Sequence, residues 1–177
     1  EEKITSLLHE VGMPHASFKA GHEPIEEFGD RGCDRFRFLF ASGRNLPLQD
    51  IAKVASGGEM SRLMLCIKSL LVDASRLPTL VFDEIDTGIS GEIAGRVGNI
   101  IMRMAAGMQI INITHLPQIA SKGATHFLVY KTEEDHASVT RMKLLTPEER
   151  HQEIARMLSG EEITSAALDH ARQHLGN

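Results

Sequence analysis

Between Gly58 and Thr114 the chain alternates between helical and strand periodicity, and this alternation constrains its fold more than any other feature. Met60, Leu63, Met64, Ile67, Leu70, Leu71 and Ala74 recur at helical spacing, which predicts a helix over 58–74 with one apolar stripe. Pro78 closes that pattern. The run TLVFD (79–83), with its β-branched and aromatic residues, reads as a buried strand. A second helix is predicted from Ser90 to Ala106, with Ile93, Val97, Ile100, Ile101 and Met104 on one side and Gly107 as its stop. The run QIINIT (109–114) reads as a second buried strand. Strand and helix in alternation indicate an α/β architecture, a largely parallel sheet with flanking helices.

The flanks follow the same rules less sharply. Residues 3–10 read as the end of a helix, broken by VGMP (11–14). A short strand is expected over 16–20. Residues 21–34, with several glycines, a proline and mixed charges, read as a loop. FRFLFA (36–41) is a strand, and GRNLP the turn after it. Beyond the alternating region a short helix is expected over 116–121. THFLVYKT (125–132) and ASVTRMKLL (137–145) flank EEDH and predict an antiparallel hairpin. Thr146 can cap a helix, Pro147 suits its first position, and Glu149 completes a capping box. That helix ends near Gly160. A last helix is expected over 162–175, with Ile163, Ala167, Leu168, Ala171 and Leu175 toward one side; neither helix carries a chemical motif.

The 177 residues, 42% apolar, suit one domain with a hydrophobic core. No apolar run approaches the roughly 20 residues that span a bilayer, and the start EEKITSLLHE has no signal-peptide pattern. A chain that opens on Glu1 is expected to be part of something longer. Cys33 and Cys66 are far apart and in no metal-ligand spacing; Cys66 lies in a helical apolar pattern and reads as a buried thiol. A reduced, cytoplasmic compartment is expected. The net charge of −5, with no Lys/Arg run, gives no sign that this part of the chain grips DNA.

Three segments carry candidate chemistry. In VASGGEMSR (54–62), Ser56, Gly57 and Gly58 open the first long helix. A helix N-terminus offers free N–H groups and a positive dipole end, suited to phosphate. Ser56 and Glu59 also spell a capping box that satisfies the helix end by itself, so both readings stand. In TLVFDEIDTGISG (79–91), Asp83 and Glu84 end a buried strand, where ligands bind in open α/β sheets. Adjacent carboxylates on a strand are expected on opposite faces, one for Mg²⁺ and one to orient or deprotonate a water. An acidic pair after a strand is also common in ordinary loops. His115, in IINITHLPQIA (110–120), follows the second strand; a lone histidine is usually structural.

In this order the three segments resemble the signature loop, Walker B strand, D-loop and switch histidine of ABC ATPases. The wording of KVASGGEMSRLMLCIKSLL, TLVFDEIDTGISGEIAGRVG and ITHLPQIAS resembles the RecN family of bacterial, SMC-like DNA repair ATPases. The resemblance runs from about Leu8 to the C-terminus and is strongest over 52–121; ASGRNLPL departs from the Asn-Pro-Gly-rich turn of that family. It implies a P-loop NTPase of the ABC/SMC-head type, C-terminal lobe only, with residues 1–10 the base of a coiled-coil helix and 11–177 the half head. It further implies that Asp83 organises Mg²⁺, that Glu84 is the general base, and that His115 senses the γ-phosphate of ATP. Ser56, Gly57, Gly58 and Glu59 would meet ATP held by an opposite head, and Asp86 would belong to the D-loop between heads. The implied partners are an N-terminal Walker A half, a second head and, through the complete protein, DNA; no membrane is implied, and the setting is the bacterial cytoplasm and nucleoid. No G-x-x-x-x-G-K-[ST] occurs in the sequence, so the isolated chain is expected to be inactive. Alternatives are another SMC-like or RecF-like ATPase head, or a non-catalytic docking or dimerisation module.

Overall fold

The computed structural model describes residues 1–30, 32–54, 56–72, 77–134, 137–160 and 163–176. Ala55, Ala74 at the predicted helix end, Asp135 and His136 in the predicted turn, and the 162 start of the last helix lie outside them. The chain divides into two units, Glu1–Ile113 and Thr114–Asn177.

The first unit opens with helix α1 (Glu2–Glu10), then strands β1 (Ser17–Gly29) and β2 (Gly32–Ala41), and a two-residue β3 (Gln49–Asp50). These pair antiparallel in the order β1-β2-β3. The loop expected over 21–34 is instead the outer part of a long hairpin. The pairing runs from Ser17↔Ala41 to Pro24↔Asp34, then slips before Gly29↔Gly32. Pro24 is tolerated because β1 is an edge strand, where a missing N–H costs no ladder bond. Both faces of the outer hairpin are exposed, which removes the alternation that marks a half-buried strand.

Helix α2 (Gly57–Leu71), β4 (Thr79–Asp83), α3 (Gly91–Ala105) and β5 (Gln109–Ile113) follow the predicted alternation. β4 and β5 pair in parallel, Thr79↔Gln109 through Asp83↔Ile113. This pair is the parallel part of the α/β fold; the other described strand pairs are antiparallel. On α3, Val97, Ile100, Ile101 and Met104 are buried as expected. On α2 the buried residues are Leu63, Leu65 and Cys66, while Leu70 and Leu71 at its end are exposed. α2 contacts α1 as well as α3, so its covered face is turned from the predicted stripe. Burial pushes the Cys66 thiol up to about 12, which keeps it protonated and inert.

The second unit holds a short α4 (Pro117–Ala120), the expected hairpin β6 (Phe127–Glu134) and β7 (Ala137–Leu144), α5 (Pro147–Ser159) and α6 (Ser165–Leu175). Its core is Ile154 and Ala155 of α5 against Ala167 and Ala171 of α6. The predicted capping box of α5 is complete: Thr146 Oγ1 accepts from the Glu149 N–H, and the Glu149 carboxylate accepts from the Thr146 N–H. No helix among the described residues is long and apolar enough to cross a membrane.

Candidate nucleotide site

The site is built where α2 begins and where β4 ends. Ser56 caps α2 from an extended conformation, and its hydroxyl accepts from the Glu59 N–H at 3.4 Å, the Ser56 half of the expected capping box. Ser56 and Gly57 are exposed, and Gly58 and Glu59 half-buried, so the first turn of α2 remains open to a ligand.

β4 ends on Asp83, which is exposed. The expectation that Asp83 and Glu84 alternate across a strand needs correcting, because Glu84 has already left it. Glu84 has φ 47°, the left-handed region that residues with a Cβ seldom adopt. That conformation is fixed by its neighbours. The Glu84 N–H donates to the Ile113 carbonyl of β5 at 3.1 Å. The Glu84 carbonyl in turn accepts from both the N–H and the hydroxyl of Thr87, at 3.2 and 2.9 Å. Strain held in this way by surrounding bonds is a feature of functional positions. Ile85 and Asp86 next turn inward; Asp86 is fully buried.

Gly58 joins the two elements. A Cβ on it would lie 2.7 Å from the Thr87 carbonyl oxygen, closer than real Cβ atoms come. The start of α2 therefore packs directly on the turn that carries Glu84 and Asp86. Arg62, one helical turn later, lies at the same junction, with a guanidinium nitrogen 3.5 Å from that Cβ position. Burial lowers the affinity of Arg62 for its proton, opposed by Glu59 and Cys66. Its Nε has no hydrogen-bond partner among the described residues. Sequence reasoning passed over Arg62 and Thr87; the only available signal was the four-residue spacing from Gly58 to Arg62 on one helix face.

His115 is exposed and lies in the second unit, two residues beyond β5. The adjoining turn is set by the Leu116 N–H donating to Thr114 Oγ1 at 3.0 Å.

Among the described residues no group of three or more His, Cys, Asp or Glu side chains could hold a metal. Asp83 alone fits Mg²⁺ of one kind: an ion bound chiefly by phosphate oxygens and water, with one protein carboxylate.

No family model matches the chain. It is 40% identical over 153 residues to the DNA repair protein RecN of Bacillus subtilis, covering 86% of this chain and 26% of that protein. It is 37% identical over 175 residues to RecN of Rickettsia prowazekii, covering 99% and 32%. The chain thus spans a third or less of the length of these relatives. Among solved structures it resembles the Smc head domain with a coiled coil and joint from Pyrococcus yayanosii, with TM-score 0.65, 18% identity, and 89% and 29% of the two chains covered. It also resembles the Smc head with extended coiled coil from Pyrococcus furiosus, with TM-score 0.61, 17% identity, and 89% and 37% covered. The resemblance to RecN holds along nearly the whole sequence, and the fold is the C-terminal lobe of an SMC-type head.

Proposed function

We propose that this chain, RecN-like in sequence and an SMC-head lobe in fold, is the C-terminal half of an ATP-hydrolysing head in a DNA double-strand-break repair protein. The observation that carries this reading is the seat of Gly58 on Thr87. It ties the proposed phosphate-binding helix start to the proposed catalytic turn within one unit. Phosphoryl transfer asks a protein mainly for positioning and charge stabilisation, and this close packing sets the start of α2 against the turn.

Mg²⁺ bound with nucleotide would neutralise charge on the phosphate oxygens, and Asp83 would hold it through its water shell. Glu84 would orient a water and accept its proton, its backbone fixed by Ile113 and Thr87. His115 would donate a hydrogen bond to the terminal phosphate. Ser56, Gly57, Gly58 and Glu59 would offer the start of α2 to a nucleotide held by a second head, with Asp86 in the turn between heads. The complete protein would supply the Walker A half, engage DNA and work in the bacterial cytoplasm at the nucleoid.

ATP turnover by the complete protein, with and without DNA, tests the reading. Glu84→Gln is expected to abolish turnover and retain ATP-dependent dimerisation, and Ser56→Arg to abolish dimerisation. Unchanged turnover in Glu84→Gln would mean that Glu84 is not the catalytic carboxylate, and the roles would have to be reassigned from Asp83 outward; no turnover in the wild-type complete protein would turn the reading toward a docking module. The 177-residue chain alone is expected to show no tight, Mg-dependent ATP binding in calorimetry.

A further inference from the structure

Two histidines of α6, in the second unit, carry none of the roles given above. His170 and His174 are four residues apart on this helix, about one turn, so they rise from the same face. Their imidazole rings already meet: the centroids lie 5.3 Å apart, with the planes inclined at 72°. His170 is exposed and His174 half-buried, so solvent reaches the pair.

The ring nitrogens of this pair are not committed elsewhere. His9 Nε2 meets the Ala16 carbonyl, His22 Nε2 the Asp34 carboxylate, and His151 Nδ1 the Pro147 carbonyl. Neither His170 nor His174 has such a hydrogen bond among the described residues. The fold also holds their spacing. Ala167 and Ala171 are buried against Ile154 and Ala155 of α5. Thr164 Oγ1 caps the helix by accepting from the Ala167 N–H at 3.1 Å, and Gly176 closes it in the left-handed conformation. The backbone under the two rings is thus fixed in advance, and a ligand that uses both has only the rings to order.

We propose that His170 and His174 chelate one divalent transition-metal ion of the Zn²⁺ class, with one nitrogen from each ring. Two imidazoles on one tetrahedral Zn²⁺, each with a metal–nitrogen bond of about 2.0–2.1 Å, put their ring centroids roughly 5 Å apart. The pair stands at 5.3 Å without rearrangement of the helix. The interplanar angle sets no further condition, because each ring turns about its own metal–nitrogen bond. Imidazole suits Zn²⁺, Ni²⁺ and Cu²⁺, whereas Mg²⁺ takes oxygen ligands. Water completes the coordination, so the ion stays exchangeable. Charge acts in both directions. His174 lies in the last turn of α6, where the negative end of the helix dipole favours a cation. Arg172 is matched by Asp169 at 2.9 Å, and the charge of Lys122, which reaches His174, opposes the ion. The bound ion ties neighbouring turns of α6 together near its C-terminal end. This site goes beyond the ATPase reading and shares no residue with it.

The test is calorimetric titration of the complete protein, free of any affinity tag, with Zn²⁺. Wild type is compared with His170→Gln, His174→Gln and, as control, His151→Gln on α5. Either α6 substitution is expected to weaken one Zn²⁺ per chain by at least about tenfold, because the second imidazole acts at the effective concentration set by the helix. His151→Gln is expected to leave that ion unchanged, and millimolar Mg²⁺ is expected not to displace it. Circular dichroism of the metal-free variants checks that α6 still forms. A Zn²⁺ isotherm altered by neither α6 substitution, or by only one of them, would overturn the proposal, as would displacement by Mg²⁺. ATP turnover does not enter this readout, so the fate of the Glu84 assignment leaves the outcome untouched.

Discussion

Glu84 carries two burdens, a backbone that glycine would adopt more easily and a side chain that glycine lacks. At φ 47° a residue with a Cβ costs roughly 1–2 kcal/mol relative to its ordinary conformation, part of which glycine gives back through its looser unfolded chain. Glu84→Gly is therefore expected to be more stable than Glu84→Gln by about 1 kcal/mol in denaturant unfolding, while both lose turnover in the complete protein. Equal stability of the two variants would show that the turn is not strained. At the α2 junction, Gly58→Ala is expected to destabilise the chain by about 1–3 kcal/mol, because its Cβ meets a backbone carbonyl that cannot swing aside. Gly57→Ala, with open space around the Cβ, is the control and should lie within about 0.5 kcal/mol of wild type. The residue types of this site were legible in the sequence, because strand ends and helix starts announce themselves by pattern. The contact between Gly58 and Thr87 was not, since it joins positions far apart in the chain through backbone geometry alone.

Elements were legible in proportion to how asymmetrically they are buried. The α3 stripe and the α5 capping box stood out because one periodicity or one local bond set fixes each. Thr146→Ala should accordingly cost about 1 kcal/mol, read as a shift in the unfolding midpoint. The outer β1–β2 hairpin has the sequence pattern of a loop because solvent reaches both of its faces and a proline stands in its edge strand. In the second unit a partly buried histidine predicts a stability that varies with pH. Arg150 clamps the loop before β6 by donating to the Gly123 and Ala124 carbonyls at 2.7 and 3.1 Å. His126 lies in this region, and burial first, then the charge of Arg150, hold its imidazole below the ordinary value. With the folded affinity for the proton lowered, the unfolded chain binds more protons in the window just below the ordinary imidazole pKa. His126 thus destabilises the fold as pH falls through that window. Thermal midpoints of wild type are expected to drop more between pH 7.5 and 5.5 than those of His126→Gln; parallel curves would clear His126 of this role.

At the scale of the molecule the informative surface is the face of the β4–β5 pair turned away from α2 and α3. Val81, Ile111 and Ile113 lie on it, 52%, 47% and 52% exposed, and Asp83 ends the same row. Parallel strands are ordinarily covered on both faces, because unpaired apolar side chains in water forfeit the burial that stabilises a sheet. The apolar run TLVFD announced a strand buried on both sides, and here one side has no cover among the described residues. If the Walker A half of the complete protein covers this row, a substitution there has opposite meaning in two contexts. Val81→Thr with Ile111→Thr should leave the 177-residue chain within about 0.5 kcal/mol of wild type, since water already reaches both positions. In the complete protein the same pair should cost about 2–4 kcal/mol, because each hydroxyl would be placed in a packed interface and a methyl-sized volume lost at Ile111. Denaturant unfolding of both proteins reads the difference directly. Equal cost in the two would mean that this face stays open in the complete protein, and that the turn at the end of β4 meets the rest of the protein from another side.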